Sequence, residues 1–299
     1  MKANPVVELK ELQEELHAMG DPWHAGRTSL FGLSDAEKRN RGGYIPGPGE
    51  PSLEERERIS AANRDVPRPE NAQYPPFANW EVVCWGSKCG ELGYPGDQGS
   101  CGSCVAFGVA QTLAYRAQIS IKTHLTSGYH PMLSPAYLYY CKSGRDCEGP
   151  NSGWWVSSAV AACTTGVPEW QYFPYTAGDQ PCRVQTPWQG WGATSWQILR
   201  GTSAMKTYIA ANGPLVTAFI IYSDFYNYKK GVYRPSSSAT PGVGHAVSVV
   251  GYNDNTGAWR CINSWGTGWG DHGFFDIAYG VCGIDDFMWA VDGVVRKSS

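Results

Sequence analysis

The sequence predicts an α+β protein in which helices come first and strands follow. Three observations carry this. Before residue 213, apolar residues fall at helical spacing, as in 105–117 and 203–211. From Leu215 on, short runs rich in Val, Ile, Phe, Tyr and Trp are separated by glycine-rich turns: 215–222, 245–252, 259–263, 274–278 and 288–291. Third, residues 1–72 hold 10 of the 24 Lys/Arg and 13 of the 27 Asp/Glu, whereas most of the 13 Trp lie beyond residue 100. A polar N-terminal unit, 1–72, is therefore expected ahead of an aromatic-rich globular domain, 73–299, with helices over about 90–200 and strands over about 201–299.

In chain order, residues 5–19 place Val6, Leu9, Leu12, Leu16 and Met19 on one helical stripe, which Gly20 and Asp21-Pro22 end. Ser34 caps a short helix with Glu37 in capping-box position. The run from Gly42 to Pro51 is a breaker-rich linker, and Ser52 starts charges at helical spacing over 52–60. Tyr74-Pro75-Pro76 should open the globular domain. Cys84 and Cys89 fit a local disulfide, since zinc would need two more ligands and none has suitable spacing. Ser134 and Pro135 suit a helix start, and 156–163 is a small-residue helix ended by Gly166.

The chemistry concentrates in Asp97-Gln98-Gly99-Ser100-Cys101-Gly102-Ser103-Cys104. Cys104 sits where the apolar helix should begin, and the backbone dipole and free N–H groups there favour a thiolate. Cys101 and Cys104, taken alone, would also suit a metal pair, a redox pair or the ends of ordinary disulfides. His245 follows 141 residues after Cys104, and Asn263 a further 18 on, each in a glycine-rich setting. A nucleophilic thiol needs a base, and an imidazole needs a third group to fix its tautomer. An Asn carbonyl can do this.

These motifs resemble those of the papain-like cysteine peptidases, the cathepsin B/L superfamily. The resemblance covers about Trp80 to the C-terminus. It implies a two-lobe fold, a helical lobe and an antiparallel β-barrel-like lobe with the cleft between them, and cysteine peptidase activity on peptides and proteins. Cys104 would be the nucleophile, with Gln98 and the Cys104 N–H as oxyanion donors. His245 would be base and then acid, Asn263 its orienter, and Trp265 a shield over that bond. Val105 stands where the family has an aromatic residue. Gly153 would pair with substrate backbone, with Ser152 replacing the family's glycine beside it.

By position, the pocket for the second residue before the scissile bond would be lined by Trp154, Ala218, Val243, Ala246 and Phe287. Phe287 makes its floor apolar, so a hydrophobic residue of moderate size is expected there and a basic one disfavoured, with Asp285 and Asp286 close by. No His-bearing occluding loop is recognisable, so endopeptidase action is expected. Family pairing would join Cys101 to Cys147 and Cys141 to Cys182, leaving Cys163, Cys261 and Cys282 reduced. Trp23-His24-Ala25-Gly26 and the later Gly42-Gly43-Tyr44 resemble a short cathepsin B-type proregion. By that analogy residues 1 to about 70 form an arm that crosses and blocks the cleft, a zymogen's intramolecular inhibitor. A non-catalytic homologue or a transglutaminase-like thiol enzyme are the competing readings, and the complete set Gln98, Cys104, His245 and Asn263 and the run 263–270 weigh against them.

Composition narrows the rest. A net charge of −3 and no run of 18 apolar residues give no pointer to nucleic acid or a membrane. No metal or cofactor is expected, and the chain is expected to be a monomer. Ten cysteines suit a secreted or otherwise oxidising compartment. The N-terminus shows no apolar signal region, which a signal removed earlier would reconcile.

Overall fold

The computed structural model describes residues 5–85, 88–91, 94–121 and 131–299, with the side chains of residues 5, 7, 82–85 and 88–91 outside the description. The helices are α1 (Pro5–Ala18), α2 (Asp35–Arg39), α3 (Leu53–Ser60), α4 (Cys104–Ile121), α5 (Tyr137–Ser143, π-helical), α6 (Val156–Ala162) and α7 (Thr202–Asn212). The strands are β1 (Trp23–Ala25), β2 (Phe77–Asn79), β3 (Val82–Trp85), β4 (Lys88–Glu91), β5 (Val167–Pro168), β6 (Gln189–Gly192) and β7 (Ser195–Arg200). They continue with β8 (Leu215–Tyr222), β9 (Tyr228–Tyr233), β10 (Pro241–Asn253), β11 (Ala258–Ile262), β12 (Phe274–Ala278), β13 (Phe287–Asp292) and β14 (Val295–Ser298).

The large sheet runs β1-β9-β12-β11-β10-β8-β13-β7, with β2 also on β10. Its pairs are antiparallel except β12 with β9. The sheet is open rather than a closed barrel. It takes in β7 before residue 201, and β14 returns to pair with β6 and so ties the chain's end to the helical side. Strands β1, β7 and β9 escape the sequence pattern for a physical reason. β9 carries Lys229, Lys230 and Gly231, and β7 is an exposed edge, so neither shows the apolar run of a buried strand.

Helix α4 is buried on almost all sides, as a helix apolar around its whole circumference must be. It lies directly on β10. A Cβ at Gly108 would come within 3.2 Å of the Val247 backbone, and Thr112 Oγ1 donates to Ser248 Oγ at 2.7 Å. Residues 104, 108 and 112 share one face of the helix. The contacts of 108 and 112 with 247 and 248 therefore aim the start of α4 at His245–Ala246.

The N-terminal unit is docked along its length. Ser34 and Glu37 form the expected capping box, and Ser52 caps α3. On α1, Leu9, Leu12 and Leu16 are buried, while Val6 and Met19, at the two ends of the stripe, are exposed.

Candidate active site

Cys104 is a free thiol with no solvent exposure, at the first residue of α4. The backbone N–H groups of Ala246, Val105, Tyr44 and Cys104 itself all favour its ionised form. Burial opposes them and wins, pushing the thiol up to about 12. The thiolate expected from a helix N-terminus is thus not the state of the covered chain, because desolvation outweighs the dipole.

His245 lies on β10, also fully buried. Its Nε2 is 2.8 Å from Asn263 Oδ1, and its Nδ1 is buried without a hydrogen bond of normal geometry. Burial pulls the imidazole down to about 4, against the bond to Asn263. Trp265 packs its ring 4.9 Å from the imidazole, in position to keep water from the His–Asn bond. Asn263 is held in turn: its N–H donates to Gly273 O at 2.9 Å, and its Oδ1 also accepts from the Ser264 N–H at 2.8 Å.

Gln98 is braced by the same loop. Its Oε1 accepts from Ser264 Oγ at 2.6 Å, its backbone N–H donates to Ser264 O at 2.9 Å, and its Nε2 donates to Cys101 O at 2.7 Å. An amide nitrogen has two hydrogens, so one remains for a ligand. Ser264 is a site residue that sequence reasoning missed. Its only signal is its place directly after Asn263.

The bridges implied by the resemblance are formed, Cys101–Cys147 and Cys141–Cys182. Cys163, Cys261 and Cys282 are free and buried. The expected pair Cys84 and Cys89 face each other across β3 and β4, but their side chains lie outside the described residues. Ser152 donates from its hydroxyl to Cys147 O at 2.8 Å, and a Cβ on Gly102 would meet that hydroxyl at 2.2 Å. The two positions are linked: a hydroxyl at 152 demands glycine at 102.

The N-terminal segment passes directly over these groups. The N–H groups of Gly43 and Tyr44 both donate to Gly244 O, at 2.9 and 3.1 Å. Gly43 O accepts from the Trp154 N–H at 2.8 Å, and the Ile45 N–H donates to Trp154 O at 3.0 Å, a parallel bridge. Trp265 Nε1 donates to Arg41 O at 3.3 Å, and Arg41 pairs with Asp97 at 2.9 Å. A Cβ on Gly43 would fall 2.1 Å from Gly102 O, so the chain can pass here only as glycine.

Gly153, expected to pair with substrate backbone, is not the residue that pairs with this segment. Its N–H donates to no arm carbonyl but to Tyr139 Oη at 3.2 Å, while the arm uses Trp154. Trp23, Ala25 and Gly26, singled out as arm residues, lie on the strand lobe. Trp23 and Ala25 pair with β9, Trp23 Nε1 donates to Arg234 O at 2.8 Å, and the Gly26 N–H donates to Asn227 O at 2.8 Å. They anchor the arm, and residues 41–45 do the covering.

The pocket residues come together. Tyr44 of the arm shares one packed cluster with Trp154, Ala218, Ala246 and Phe287, while Val243 lies against Gly42. Phe287 lies in that apolar cluster, and a buried charge stands beside it. Asp286, with its side chain wholly buried next to Phe287, pairs with Arg56 of α3 at 2.8 Å. Burial holds the Asp286 carboxyl up at about 7, against the pull of Arg56. Arg56 was invisible to sequence reasoning, which saw only helical charge spacing over 52–60.

Residues 81–291 match the model of the papain family cysteine proteases. A gut-specific cysteine proteinase of Caenorhabditis elegans is 32% identical over 68% of this chain and 70% of its own length. A cathepsin B-like protein, CP2, of Giardia intestinalis is 32% identical over 65% of this chain and 67% of its own. Among solved structures, procathepsin B S9 from Trypanosoma congolense superposes with a TM-score of 0.71 at 20% identity, covering 96% of this chain and 97% of that one. Digestive procathepsin L2 from Tenebrio molitor gives 0.70 at 22% identity, covering 96% and 90%. The fold and site define a thiol hydrolase acting on peptide bonds. The chain belongs to the papain family of cysteine proteases.

Proposed function

We propose that the chain is the zymogen of a cysteine endopeptidase whose residues 1–72 form the inhibitory arm and 73–299 the peptidase. The observation that carries this is the buried thiol at the start of α4. The N–H of the residue after His245 favours its ionised form, and an arm strand lies across it. With the arm in place burial keeps both groups neutral, so the nucleophile is off. With the arm displaced, water returns, and the proton passes from Sγ to His245 to give a thiolate–imidazolium pair.

The thiolate then attacks the substrate carbonyl carbon, and the carbonyl electrons move to oxygen. The free Nε2–H of Gln98 and the N–H of Cys104 stabilise that oxyanion. The imidazolium gives its proton to the leaving amine, leaving a thioester. His245 next takes a proton from water, whose oxygen attacks the thioester, and Cys104 departs as thiolate. Asn263 keeps the ring oriented throughout.

The pocket of Trp154, Ala218, Val243, Ala246 and Phe287 receives a hydrophobic side chain two residues before the scissile bond, a place Tyr44 fills in the zymogen. No cofactor is required, the working form is a monomer, and the two disulfides among the described residues suit an oxidising compartment. The test is labelling by a peptidyl epoxide after acid incubation of the full chain. One equivalent on Cys104, lost in Cys104→Ala, is expected. An activated chain that hydrolyses peptides equally well as Cys104→Ala would sink the reading.

A further inference from the structure

We propose that loss of the arm uncovers a second binding site, the outer edge of β9 with the aromatic pocket beside it. This exosite captures an extended, tryptophan-bearing segment of a protein substrate while another stretch of the same polypeptide is cut. The inference rests on the peptidase reading above and extends it to a substrate class: polypeptides long enough to reach both places.

The arm shows what the edge recognises. Trp23 and Ala25 pair antiparallel with β9, the Val232 N–H donates to Pro22 O at 3.0 Å, and the Gly26 N–H donates to Asn227 O at 2.8 Å. Thr28 Oγ1 donates to Tyr226 O at 2.8 Å, and the Ser29 N–H to Gly268 O at 3.1 Å. A strand added to a sheet edge takes its affinity from such backbone bonds and its selectivity from side-chain pockets. The selective residue is Trp23, which is 1% exposed, with its ring 5.2 Å from that of Tyr233 and 6.0 Å from that of Tyr228. Its Nε1 donates to Arg234 O at 2.8 Å, a bond that phenylalanine cannot make.

The site belongs to the peptidase, and its pocket is held from within. β9 is paired with β12 on its inner side. Tyr228 Oη donates to Gly231 O at 2.7 Å, Tyr233 Oη donates to Asp224, and Phe225 packs 4.6 Å from Tyr233. What departs with the arm is a strand, a buried indole, and Asp65, whose carboxylate lies 3.8 Å from Arg234. An open strand edge beside a bared apolar pocket favours a new occupant. Lys229, Lys230 and Arg234 then form a basic rim, since Asp224 is buried and committed to Tyr233 and Ser236. That rim favours acidic residues near the tryptophan. The arm also shows that one polypeptide can serve both places: Trp23 sits on β9, and Gly43, 20 residues later, crosses the cleft.

The test uses the full chain after acid incubation, with epoxide labelling of Cys104 counting active sites. A quenched fluorogenic peptide carries residues 21–31 of this sequence, at one end or the other, through about twenty Gly/Ser residues that span roughly 25 Å on average. With an effective concentration of about 1 mM and a segment Kd of about 0.1 mM, KM should fall about tenfold, at unchanged kcat, in at least one of the two orders. The reference is the same tether with Trp23→Ala. Free peptide 21–31 should erase the advantage and leave hydrolysis of the untethered peptide alone. In the enzyme, Gly231→Ala places a methyl 2.7 Å from the position of the bound Trp23 Cα and should abolish the advantage as well.

Should Gly231→Ala fail to fold, hydrogen exchange locates the site instead: free peptide 21–31 should slow exchange at the Val232 N–H. Equal KM for the Trp and Ala tethers in both orders, with Cys104 labelled, overturns the exosite and leaves the peptidase reading standing. So does free peptide that inhibits tethered and untethered substrates alike, because it then sits in the cleft. An advantage untouched by Gly231→Ala, or exchange at Val232 unchanged by the peptide, also overturns it. Absent labelling removes both readings.

Discussion

Acid should open the arm through His245, and the size of the effect follows from its burial. Under the arm the imidazole is held at about 4, against an ordinary value of 6.5. In the open form of a Cys104→Ala chain, where no thiolate pairs with it, the wetted imidazole regains the ordinary value. Between pH 4 and 6.5 the open form therefore binds more protons, so the closed form gains stability as pH rises and loses it as pH falls. Going from pH 7 to pH 4.5, the loss is about 2 kcal/mol, a factor of several tens in opening. Buried carboxyls act with the opposite sign: Asp285 and Asp286 are held above the ordinary carboxylate range, so acid relieves a cost in the closed form. The quantity to measure is accordingly the His245-dependent part.

The assay is hydrogen exchange of peptides spanning residues 41–45, whose N–H groups at 43, 44 and 45 bond across the cleft. Cys104→Ala keeps the chain from cutting itself. The protection factor, corrected for intrinsic exchange, should fall several tens-fold more on acidification in Cys104→Ala than in Cys104→Ala/His245→Gln. The same pH dependence in both chains would refute the argument from burial.

Three further outcomes follow from the contacts at the cleft. Arg56→Ala removes the cation from a buried carboxylate, which costs about 3 kcal/mol of arm docking above pH 7 and less as pH falls through 7, where Asp286 takes a proton. Epoxide labelling of Cys104 in the uncut chain should accelerate about a hundredfold at pH 7.5 and more modestly at pH 5. Gly43→Ala drives a methyl into Gly102 O, an overlap worth about 1–3 kcal/mol, so labelling should quicken by roughly 5- to 150-fold while α1 and β1 stay protected from exchange. Gln98→Ala removes an oxyanion donor and should lower kcat by about 10²–10³ with KM little changed. A large rise in KM at constant kcat would mean that Gln98 serves binding instead.

The division between sequence and tertiary structure is sharp at particular residues. The apolar run from Val105 dictated a buried helix, and the turn residues before it placed Cys104 at its N-terminus. The strand runs from Leu215 onward put His245 on a strand and Asn263 directly after one. All of this is local pattern, set by 3.6- and two-residue periods and by glycine. What local pattern could not hold was the partner of each exposed or charged residue. Lys229 and Lys230 hid β9, which becomes a strand because Trp23 and Ala25 pair beside it.

Gly153 was the natural docking point by position, yet Tyr139 claims its N–H and the arm moves one residue on, to Trp154. Arg56 and Asp286 are 230 residues apart, and each alone looks like an ordinary surface charge. Only the fold sets them together behind Phe287. The ionisation of the site was also a tertiary matter: a helix dipole is written into the chain locally, but desolvation comes from everything packed around it, and here it is the larger force. Sequence by itself therefore determined the chemical groups and the elements that present them. Tertiary structure decided which charge lies at the bottom of the pocket and whether the thiol is ionised, because both depend on distance and burial between segments that the chain order keeps far apart.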